Sequence, residues 1–567
     1  MRRVSDRRGG APRSSPRQYG IFDRRRDVWC GVRPGWWHPK RVGGENDQRD
    51  EDDGGSEELP DPTLSASASA SDEREWLAAE IEARQVAEGA SLSVGEASLQ
   101  SSAIQGGAYL AAREVVGIIV RSVGIVVVTR LIGPSSYGIY AAAAAFALVI
   151  ATGAQMGLEV YLIRQADEPS ETLYHQVFSF LLVVSATVAA LSIAISLALS
   201  HLVRGVAPSQ RIFMLLMLSV PINVLWAPAQ AKIERSFGYK RMAWLELSGD
   251  IVYYVVAVTL AIVGAGGWSL AIGFVVWQTW LLVGSYRLAD LRPRWSWSRN
   301  TARELIRHGA PYASSGLTNT AKGLINPIVV GRLYGSAGVG YVALALRLID
   351  TLSFAQRATW RLGLVALSKV RAQSDRLVRG IEQGMVLQLL ATSVPVLGAC
   401  ILANWLIPFA FGQQWTPMIP VFAWLAVSKI TTAPMTVQFA VLYAASRNRV
   451  VALGTLINLI ANFALSLLFV PLLGLAGFGV AFALGGLSWY PVYRSARRIA
   501  PFSLLSSSRF MVGLAPLALF PLVASPFNLL LFAPLAAVCT LRQVRLELLG
   551  YIRLVWRGLR RPGQVSR

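Results

Sequence analysis

Apolar stretches alternate with short polar connections along most of this chain. From about Gly107 to Leu541, each apolar stretch is close to the ~20 residues that cross a ~30 Å hydrocarbon core as a helix. Only helices satisfy the backbone polar groups of stretches this long in lipid. The pattern therefore predicts an all-α polytopic membrane protein with about 14 transmembrane helices. The predicted spans are 108–131, 138–160, 174–199, 211–230, 243–263, 267–288, 309–332, 339–364, 382–408, 418–444, 450–471, 476–493, 509–524 and 526–541.

Lysine and arginine lie mainly in alternate connections. The connections 231–242 and 289–308 are rich in them, whereas the opposite connections 132–137 and 472–475 contain none. The positive-inside rule therefore predicts that both termini are cytoplasmic and that the protein lies in the inner (cytoplasmic) membrane. This placement accounts for the net charge of +21. No nucleic-acid partner is expected, because such a partner would require one concentrated basic domain.

The first hundred residues differ from the rest of the chain. An Arg/Gly/Pro-rich opening is followed by the acidic run ENDQRDEDDGGSEELPDP and by the low-complexity run SASASASD. Such a segment cannot bury enough apolar surface to order itself, so 1–104 is predicted to be a disordered cytoplasmic tail. No methionine lies between Met1 and Met156, and the alternative is that a different start codon makes much of this tail a gene-prediction artefact. Residues 542–567 are predicted to be a basic cytoplasmic tail.

The sequence contains no catalytic constellation. The cysteines Cys30, Cys400 and Cys539 are far apart, and the four histidines are scattered. No CxxC, HExxH, GxSxG or Walker-type motif occurs. These observations predict a transporter rather than an enzyme, with no metal site and no cofactor.

An internal repeat appears at an offset of 202 residues. Arg130–Gly138 (RLIGPSSYG) matches Arg332–Gly340 (RLYGSAGVG) at arginine, leucine and both glycines. A second similarity pairs GAGGWSLAIG (264–273) with GLAGFGVAFA (474–483). The alternative is that such short motifs are simply common at helix ends. A duplication predicts two pseudo-symmetric six-helix bundles related by an axis along the membrane normal. The bundles would be 105–288 and 309–493, with a cytoplasmic connection at 289–308 and a C-terminal helical hairpin at 494–541.

Five motifs, in this order, resemble those of a known family: TRLIGPSSYGIYAAA, MGLEVYLIRQ, GAGGWSLAIG, FGQQWTP and VPLLGLAGFGVAFAL. Together they are similar to the polysaccharide (O-antigen or exopolysaccharide) flippases, the Wzx-like family of the multidrug/oligosaccharidyl-lipid/polysaccharide (MOP) superfamily. The resemblance covers about residues 105–550. It implies alternating access and a polyprenyl-diphosphate-linked oligosaccharide as cargo, for lipopolysaccharide or exopolysaccharide biosynthesis. Membrane lipids, a polysaccharide polymerase and glycosyltransferases are the partners to be expected.

Several ionisable residues fall within predicted spans, where each costs about 2.5–3.5 kcal/mol near a helix centre unless it faces protein or water. Helical spacing places the polar residues of the first, seventh and eighth spans on one face of each helix. These faces predict a cationic central cavity, which suits a diphosphate. The alternative for Arg113, near a span end, is snorkelling to the interface. The candidate substrate-binding residues are Arg121, Lys322, Arg347, Arg357, Arg113, Asn319 and Asn326.

Three carboxylates also fall within predicted spans. Glu246 and Asp250 are four residues apart on the fifth span, and Asp350 lies three residues after Arg347. Each could bind a coupling proton or Na⁺. The alternative is that each pairs with a neighbouring arginine.

Three other functions remain open at this point. A multidrug exporter of the same superfamily would need carboxylates and aromatic residues for cationic drugs, so the basic residues argue against it. A flippase for a lipid-linked peptidoglycan precursor is chemically closer. A glycan polymerase or ligase would need a large external catalytic loop, and no predicted external connection exceeds about a dozen residues.

Overall fold

The computed structural model describes residues 116–542 except 166, 203–206, 355, 357–373 and 446, together with 544, 545 and 550. The predicted N-terminal tail and nearly all of the C-terminal tail lie outside this part of the chain. Within the described residues every regular element is a helix and none is a strand, which confirms the all-α prediction.

Nineteen α-helices follow one another along the described residues. They are α1 (116–155), α2 (Leu158–Ile163), α3 (Glu171–Leu202), α4 (Ala207–Leu218), α5 (Val220–Leu225), α6 (Ala227–Arg235), α7 (Tyr239–Ile262), α8 (Gly267–Leu288), α9 (Arg299–Ala321), α10 (Gly331–Leu352), α11 (Ser374–Ile401), α12 (Ala403–Phe411), α13 (Ile419–Thr432), α14 (Met435–Ala444), α15 (Asn448–Leu473), α16 (Ala476–Gly485), α17 (Tyr490–Arg497), α18 (Leu505–Leu514) and α19 (Ala533–Thr540). Short 3₁₀ segments lie at Lys322–Leu324, Gln413–Met418, Gly486–Trp489, Ala515–Leu522 and Phe527–Phe532, and a π segment at Asn326–Val330.

The described helices are long and apolar enough for a polytopic membrane protein. Nine helical runs can cross a membrane by length and composition, or ten if the bent pair Gln413–Thr432 and Met435–Ala444 is one span. Two of the nine, Val116–Ile163 and Gly316–Leu352, are 48 and 37 residues long, well beyond the ~20 residues that one crossing needs.

Glycines with positive φ divide both of these long runs. Gly133 has φ 73° within α1, and Gly335 has φ 63° within α10, so the helical path bends at the same position of the two repeats. An L-residue with a side chain would be strained in this conformation. The predicted connections 132–137 and 333–338 therefore lie inside helical runs, because a single left-handed glycine makes the turn.

Other irregularities break individual spans. Pro221 and Pro228 stand at the starts of α5 and α6, where proline removes a hydrogen bond from a continuing helix. Met156 and Gly157 both have positive φ and separate α1 from α2. The 3₁₀ segment at Lys322 is followed almost at once by the π segment at Asn326, so helical phase changes along this span.

The buried side chains form two large clusters and a smaller third one within the second half of the chain. One lies within the first half of the chain and includes Leu158, Leu181 and Leu216. The other joins the second half to the early part of α1, through Val128 and Tyr137. Many large apolar side chains elsewhere are exposed, as expected for surfaces that face lipid.

Candidate functional site

An ion pair connects α1 to α7 within the apolar interior. The Arg121 guanidinium donates to the Asp250 carboxylate at 2.7 Å, and the side chains are 23% and 13% exposed. Gly117 lies one turn before Arg121, and a Cβ there would be 3.1 Å from the guanidinium. The absence of a side chain at Gly117 therefore leaves room for Arg121.

Tyrosines from α1 and α7 surround this pair. Tyr253 and Tyr254 pack with ring centroids 4.7 Å apart, and Tyr137 lies 6.4 Å from Tyr140. Tyr254 also lies against Gly124, where a Cβ would come within 2.2 Å of its ring. Tyr137 and Tyr254 are buried, so their rings form a firm wall beside the ion pair.

Arg347 on α10 faces this wall from the second half of the chain. Its guanidinium interacts with the Tyr254 hydroxyl and, at longer range, with Tyr137. Tyr254 also interacts electrostatically with Asp250 and Arg121. Arg347 is exposed as a whole residue, although buried tyrosines flank it. We call Arg121, Asp250, Tyr254 and Arg347 the charged cluster.

The two repeat motifs touch each other at one end of the same helices. A Cβ on Gly138 would lie 1.7 Å from the carbonyl oxygen of Ser336, and a Cβ on Gly340 would lie 2.1 Å from that of Pro134. The two contacts are equivalent under the 202-residue offset, so the arrangement is reciprocal, as at a two-fold interface. The hydroxyls of Ser135 and Ser336 are 2.6 Å apart. We call Pro134, Gly138, Ser336 and Gly340, with Ser135 beside them, the glycine seal.

The segment that carries FGQQWTP binds the neighbouring part of α1. Trp415 is fully buried and its indole N–H donates to the Thr129 carbonyl at 3.2 Å. Its ring packs edge-on against Tyr137 of the first half and Tyr341 of the second, at 5.8 and 5.9 Å. The side chain of Gln414 donates to the Arg130 carbonyl at 3.2 Å. We call these contacts of Trp415 and Gln414 the Trp415 clasp.

Lys322 lies in a different environment from the charged cluster. Its ammonium stands 4.9 Å from the ring centroid of Trp489, at the end of the 3₁₀ segment that follows α16. In the part of the chain that the structure describes, no ion pair involves Lys322. Asn326 is buried and donates to the Val339 carbonyl at 3.1 Å, whereas Asn319 is exposed.

The three predicted coupling carboxylates have different surroundings. Asp250 pairs with Arg121 as described above. Asp350 lies 3.6 Å from the Lys429 ammonium and is largely exposed. Glu246 is partly buried, one turn before Asp250 on α7. Among the described residues, no three His, Cys, Asp or Glu side chains are grouped to hold a metal ion.

The structure thus joins Arg121 and Arg347, predicted as site residues, through tyrosines that the sequence did not single out. Arg113 and Arg357 lie outside the described residues. The sequence did contain one signal for the tyrosines: Tyr253 and Tyr254 follow Asp250 within one helical turn.

Comparison with known proteins gives matches in sequence and in fold. The sequence model of a family described as "polysaccharide biosynthesis protein" matches residues 127–420, slightly more than half of the chain. The "Succinoglycan biosynthesis transport protein ExoT" of Rhizobium meliloti (strain 1021) is 24% identical over 346 residues, which are 60% of this chain and 69% of that protein.

Two solved structures resemble this one. "Lipid II flippase MurJ, inward closed conformation" has a TM-score of 0.62 at 13% identity and covers 81% of this chain and 100% of its own. This likeness shows a common fold. A multidrug resistance MATE family transporter of the MOP superfamily, in an inward-facing conformation, has a TM-score of 0.47 at 16% identity and covers 69% of this chain and 94% of its own.

Proposed function

Since this chain belongs to the polysaccharide biosynthesis protein family, we propose that it translocates a polyprenyl-diphosphate-linked oligosaccharide across the cytoplasmic membrane for surface polysaccharide biosynthesis. The chain is a membrane transporter rather than an enzyme. Its relative in Rhizobium meliloti is named as a transport protein of succinoglycan biosynthesis, which supports a glycan cargo.

The charged cluster is the observation that carries this proposal. Arg347 is exposed and lies beside tyrosines, while Arg121 pairs with the Asp250 carboxylate at 2.7 Å. A guanidinium binds phosphate oxygens through two parallel charge-assisted hydrogen bonds. The diphosphate of the cargo would bind between Arg347 and Arg121, and the tyrosine hydroxyls would hydrogen-bond the adjacent sugar.

The position of the cluster along the helices supports a site near the middle of the membrane. Arg121 precedes Gly133 by 12 residues, and Arg347 follows Gly335 by 12 residues. At 1.5 Å per residue each arginine lies about 18 Å from its glycine, slightly more than half of a ~30 Å hydrocarbon core. A diphosphate bound there would be about halfway across the hydrocarbon core of the membrane.

We propose that the two halves alternate access to this site by rocking about the glycine seal. The reciprocal contacts of the seal support pseudo-symmetric halves. Fourteen spans, six in each half plus a hairpin, are consistent with this structure if the long runs divide at Gly133 and Gly335. This count takes the bent pair 413–444 as one span and adds the shorter helical runs 476–497 and 527–540. The seal lies in the connections without lysine or arginine, so it would close the external side while the cytoplasmic side is open.

Asp250 and the diphosphate of the cargo would compete as counter-ions for Arg121. Its carboxylate neutralises Arg121 when no cargo is bound, which avoids the large cost of an unpaired buried charge. An arriving diphosphate competes for the same guanidinium. Protonation of Asp250 would free Arg121 for the cargo, so this carboxylate is the proposed point at which a coupling proton acts.

The decisive experiment measures export with single variants of the cluster. Arg347→Ala and Arg121→Ala should abolish export of surface polysaccharide in a deletion strain while abundance in the membrane stays normal. Lys322→Ala tests whether the lysine beside Trp489 shares this role. Arg294→Ala, on the exposed connection after α8, is the matched control and should export normally. Normal polysaccharide with both cluster variants would remove the cationic-site mechanism.

A peptidoglycan precursor as cargo is the second candidate, because the fold is shared with a lipid II flippase. Both cargoes carry a lipid diphosphate, so the charged cluster does not separate them. Depletion of this protein in its native cell does: lethality with loss of cell-wall synthesis indicates the precursor, whereas survival without surface glycan indicates the oligosaccharide. The third candidate, a multidrug exporter, would change drug susceptibility and leave the surface glycan intact.

A further inference from the structure

A basic concavity lies at the end of the second half, on a different helix from any member of the charged cluster. It is open to its surroundings and has a volume of about 450 Å³. Its lining consists of three arginines and two tyrosines from α17 and the residue after it: Tyr490, Tyr493, Arg494, Arg497 and Arg498. It lies beyond residues 127–420, which the family model matches.

The spacing of these residues explains why they converge. Tyr490, Arg494 and Arg497 are separated by four and three residues, so they form one stripe along α17. Val492 and Ala496 are fully buried on the opposite side of the helix. The core contact therefore sets the rotation of α17 and turns its basic stripe outward.

Aromatic contacts hold one of the arginines in place. Arg497 donates to the Tyr493 hydroxyl at 3.4 Å. The Tyr493 ring packs edge-on against Phe502 with centroids 5.9 Å apart, and Phe502 is fully buried. The packing of Phe502 and Tyr493 thus fixes the position of the Arg497 guanidinium. Less side-chain entropy is then lost when an anion binds.

These arginines also lack the partners that hold two basic residues of α6. Lys232 lies 3.9 Å from a Glu171 carboxylate oxygen, and Arg235 donates to four backbone carbonyls. Over the described residues, no ion pair involves Arg494, Arg497 or Arg498. Glu382, which is near in the fold, instead accepts a hydrogen bond from the Ser503 backbone at 2.7 Å.

Membrane orientation and the helix dipole explain why basic residues stand at this helix end, but neither explains why three of them line one concavity with two tyrosines. The exposed Tyr490 ring beside guanidinium groups suits the headgroup layer, where aromatic rings and arginines meet lipid phosphates. We propose that the basic concavity binds the phosphate of an anionic glycerophospholipid headgroup in the cytoplasmic leaflet. This site is independent of the proposed cargo.

The test uses the purified full-length protein in detergent and measures the midpoint of thermal unfolding. Short-chain phosphatidylglycerol should raise the midpoint, and phosphatidylcholine should not. In R494Q/R497Q/R498Q, the phosphatidylglycerol concentration for half of the effect should rise on the order of tenfold or more, because three charge-assisted contacts are lost. The control R292Q/R294Q/R299Q loses the same charge from exposed positions of another basic connection and should respond like the wild type.

Two further arms separate the remaining outcomes. Inorganic phosphate or diphosphate that protects as well as the lipid, at matched ionic strength, would mean that the concavity takes a free anion and that the lipid assignment is wrong. Equal losses in both triple variants, or no effect on the wild type, would overturn the proposal. If R494Q/R497Q/R498Q does not fold, Tyr493→Phe decides: it removes only the hydroxyl that positions Arg497 and should weaken the lipid response a few-fold.

Discussion

The glycine seal and the two arginines of the charged cluster lie on the same two helices, α1 and α10, yet the two regions are packed in opposite ways. At the seal, backbone meets backbone, because Gly138 and Gly340 have no side chains and even a methyl group would collide. At the charged cluster, long polar side chains meet instead, and Arg347 is exposed. The seal therefore leaves no room for a side chain between the two backbones at these glycines, while the cluster is the proposed site for an anion.

In the proposed mechanism, the seal closes the external side and the cluster binds the cargo, about 18 Å away along each helix. Because each helix carries residues of both regions, the halves cannot part at the seal without shifting Arg121 relative to Arg347. Variants that change only the seal or only the cluster test whether closure and cargo binding depend on different residues.

The largest effect is expected from a covalent lock on the seal. Ser135→Cys with Ser336→Cys places two thiols where hydroxyl oxygens are 2.6 Å apart, close enough for a disulfide. Oxidation should abolish transport completely and reduction should restore it. The background must lack Cys30, Cys400 and Cys539, and each single cysteine variant is a control. Full transport by the oxidised pair would show that the seal need not open.

A smaller but still large effect is expected at the charged cluster. Arg347→Ala removes charge-assisted hydrogen bonds worth about 1.5–3 kcal/mol, so cargo affinity should fall about 10- to 100-fold. Arg347→Lys keeps the charge without the bidentate geometry and should lose less. Flipping of a labelled lipid-linked oligosaccharide in proteoliposomes measures both. Equal activity of Arg347→Ala and the wild type would place cargo binding elsewhere.

Gly138→Ala should weaken the seal without touching the cluster. The added methyl group collides with the Ser336 carbonyl, and such overpacking costs about 1–3 kcal/mol, or roughly tenfold in the closed-to-open ratio. A cysteine at Thr129, which is fully buried before the turn at Gly133, should then react faster with an impermeant thiol reagent applied outside. Gly398→Ala is the matched control, since a Cβ there meets nothing within 4 Å. Identical rates for the two variants would contradict the seal.

The smallest effect is expected at the Trp415 clasp. Trp415→Phe keeps an aromatic ring but leaves the Thr129 carbonyl without its donor, at about 1 kcal/mol. External labelling of the same cysteine should rise about fivefold. Trp244→Phe, at an exposed position of α7, serves as the control. Labelling that stays at the wild-type rate would show that the clasp contributes nothing to closure.

Sequence reasoning reached the class of fold and the family. Hydropathy predicted membrane-spanning helices because lipid imposes both their length and their composition, and the described helices confirm this. The resemblance to polysaccharide flippases, carried by RLIGPSSYG and the motifs after it, is confirmed by the family match over 127–420. The same match and the transport-protein relative confirm the prediction of a transporter rather than an enzyme.

The arrangement of the site was harder to predict. Arg121 and Asp250 were both candidates, but their contact spans 129 residues and depends on how α1 and α7 rotate against each other. Helical phase alone grouped Lys322 with the arginines, whereas the structure places it against Trp489. The change from 3₁₀ to π geometry between Lys322 and Val330 alters the turn per residue, which an ideal helix does not capture.

In the proposed mechanism, the salt bridge between Arg121 and Asp250 matters most when no cargo is bound. In the proposed cycle, the protein has to return to its starting state without cargo after each delivery. A bare guanidinium in an apolar interior would resist that step, whereas a resident counter-ion lets the vacant protein turn back at low electrostatic cost. Turnover, and not only recognition, would then depend on one aspartate.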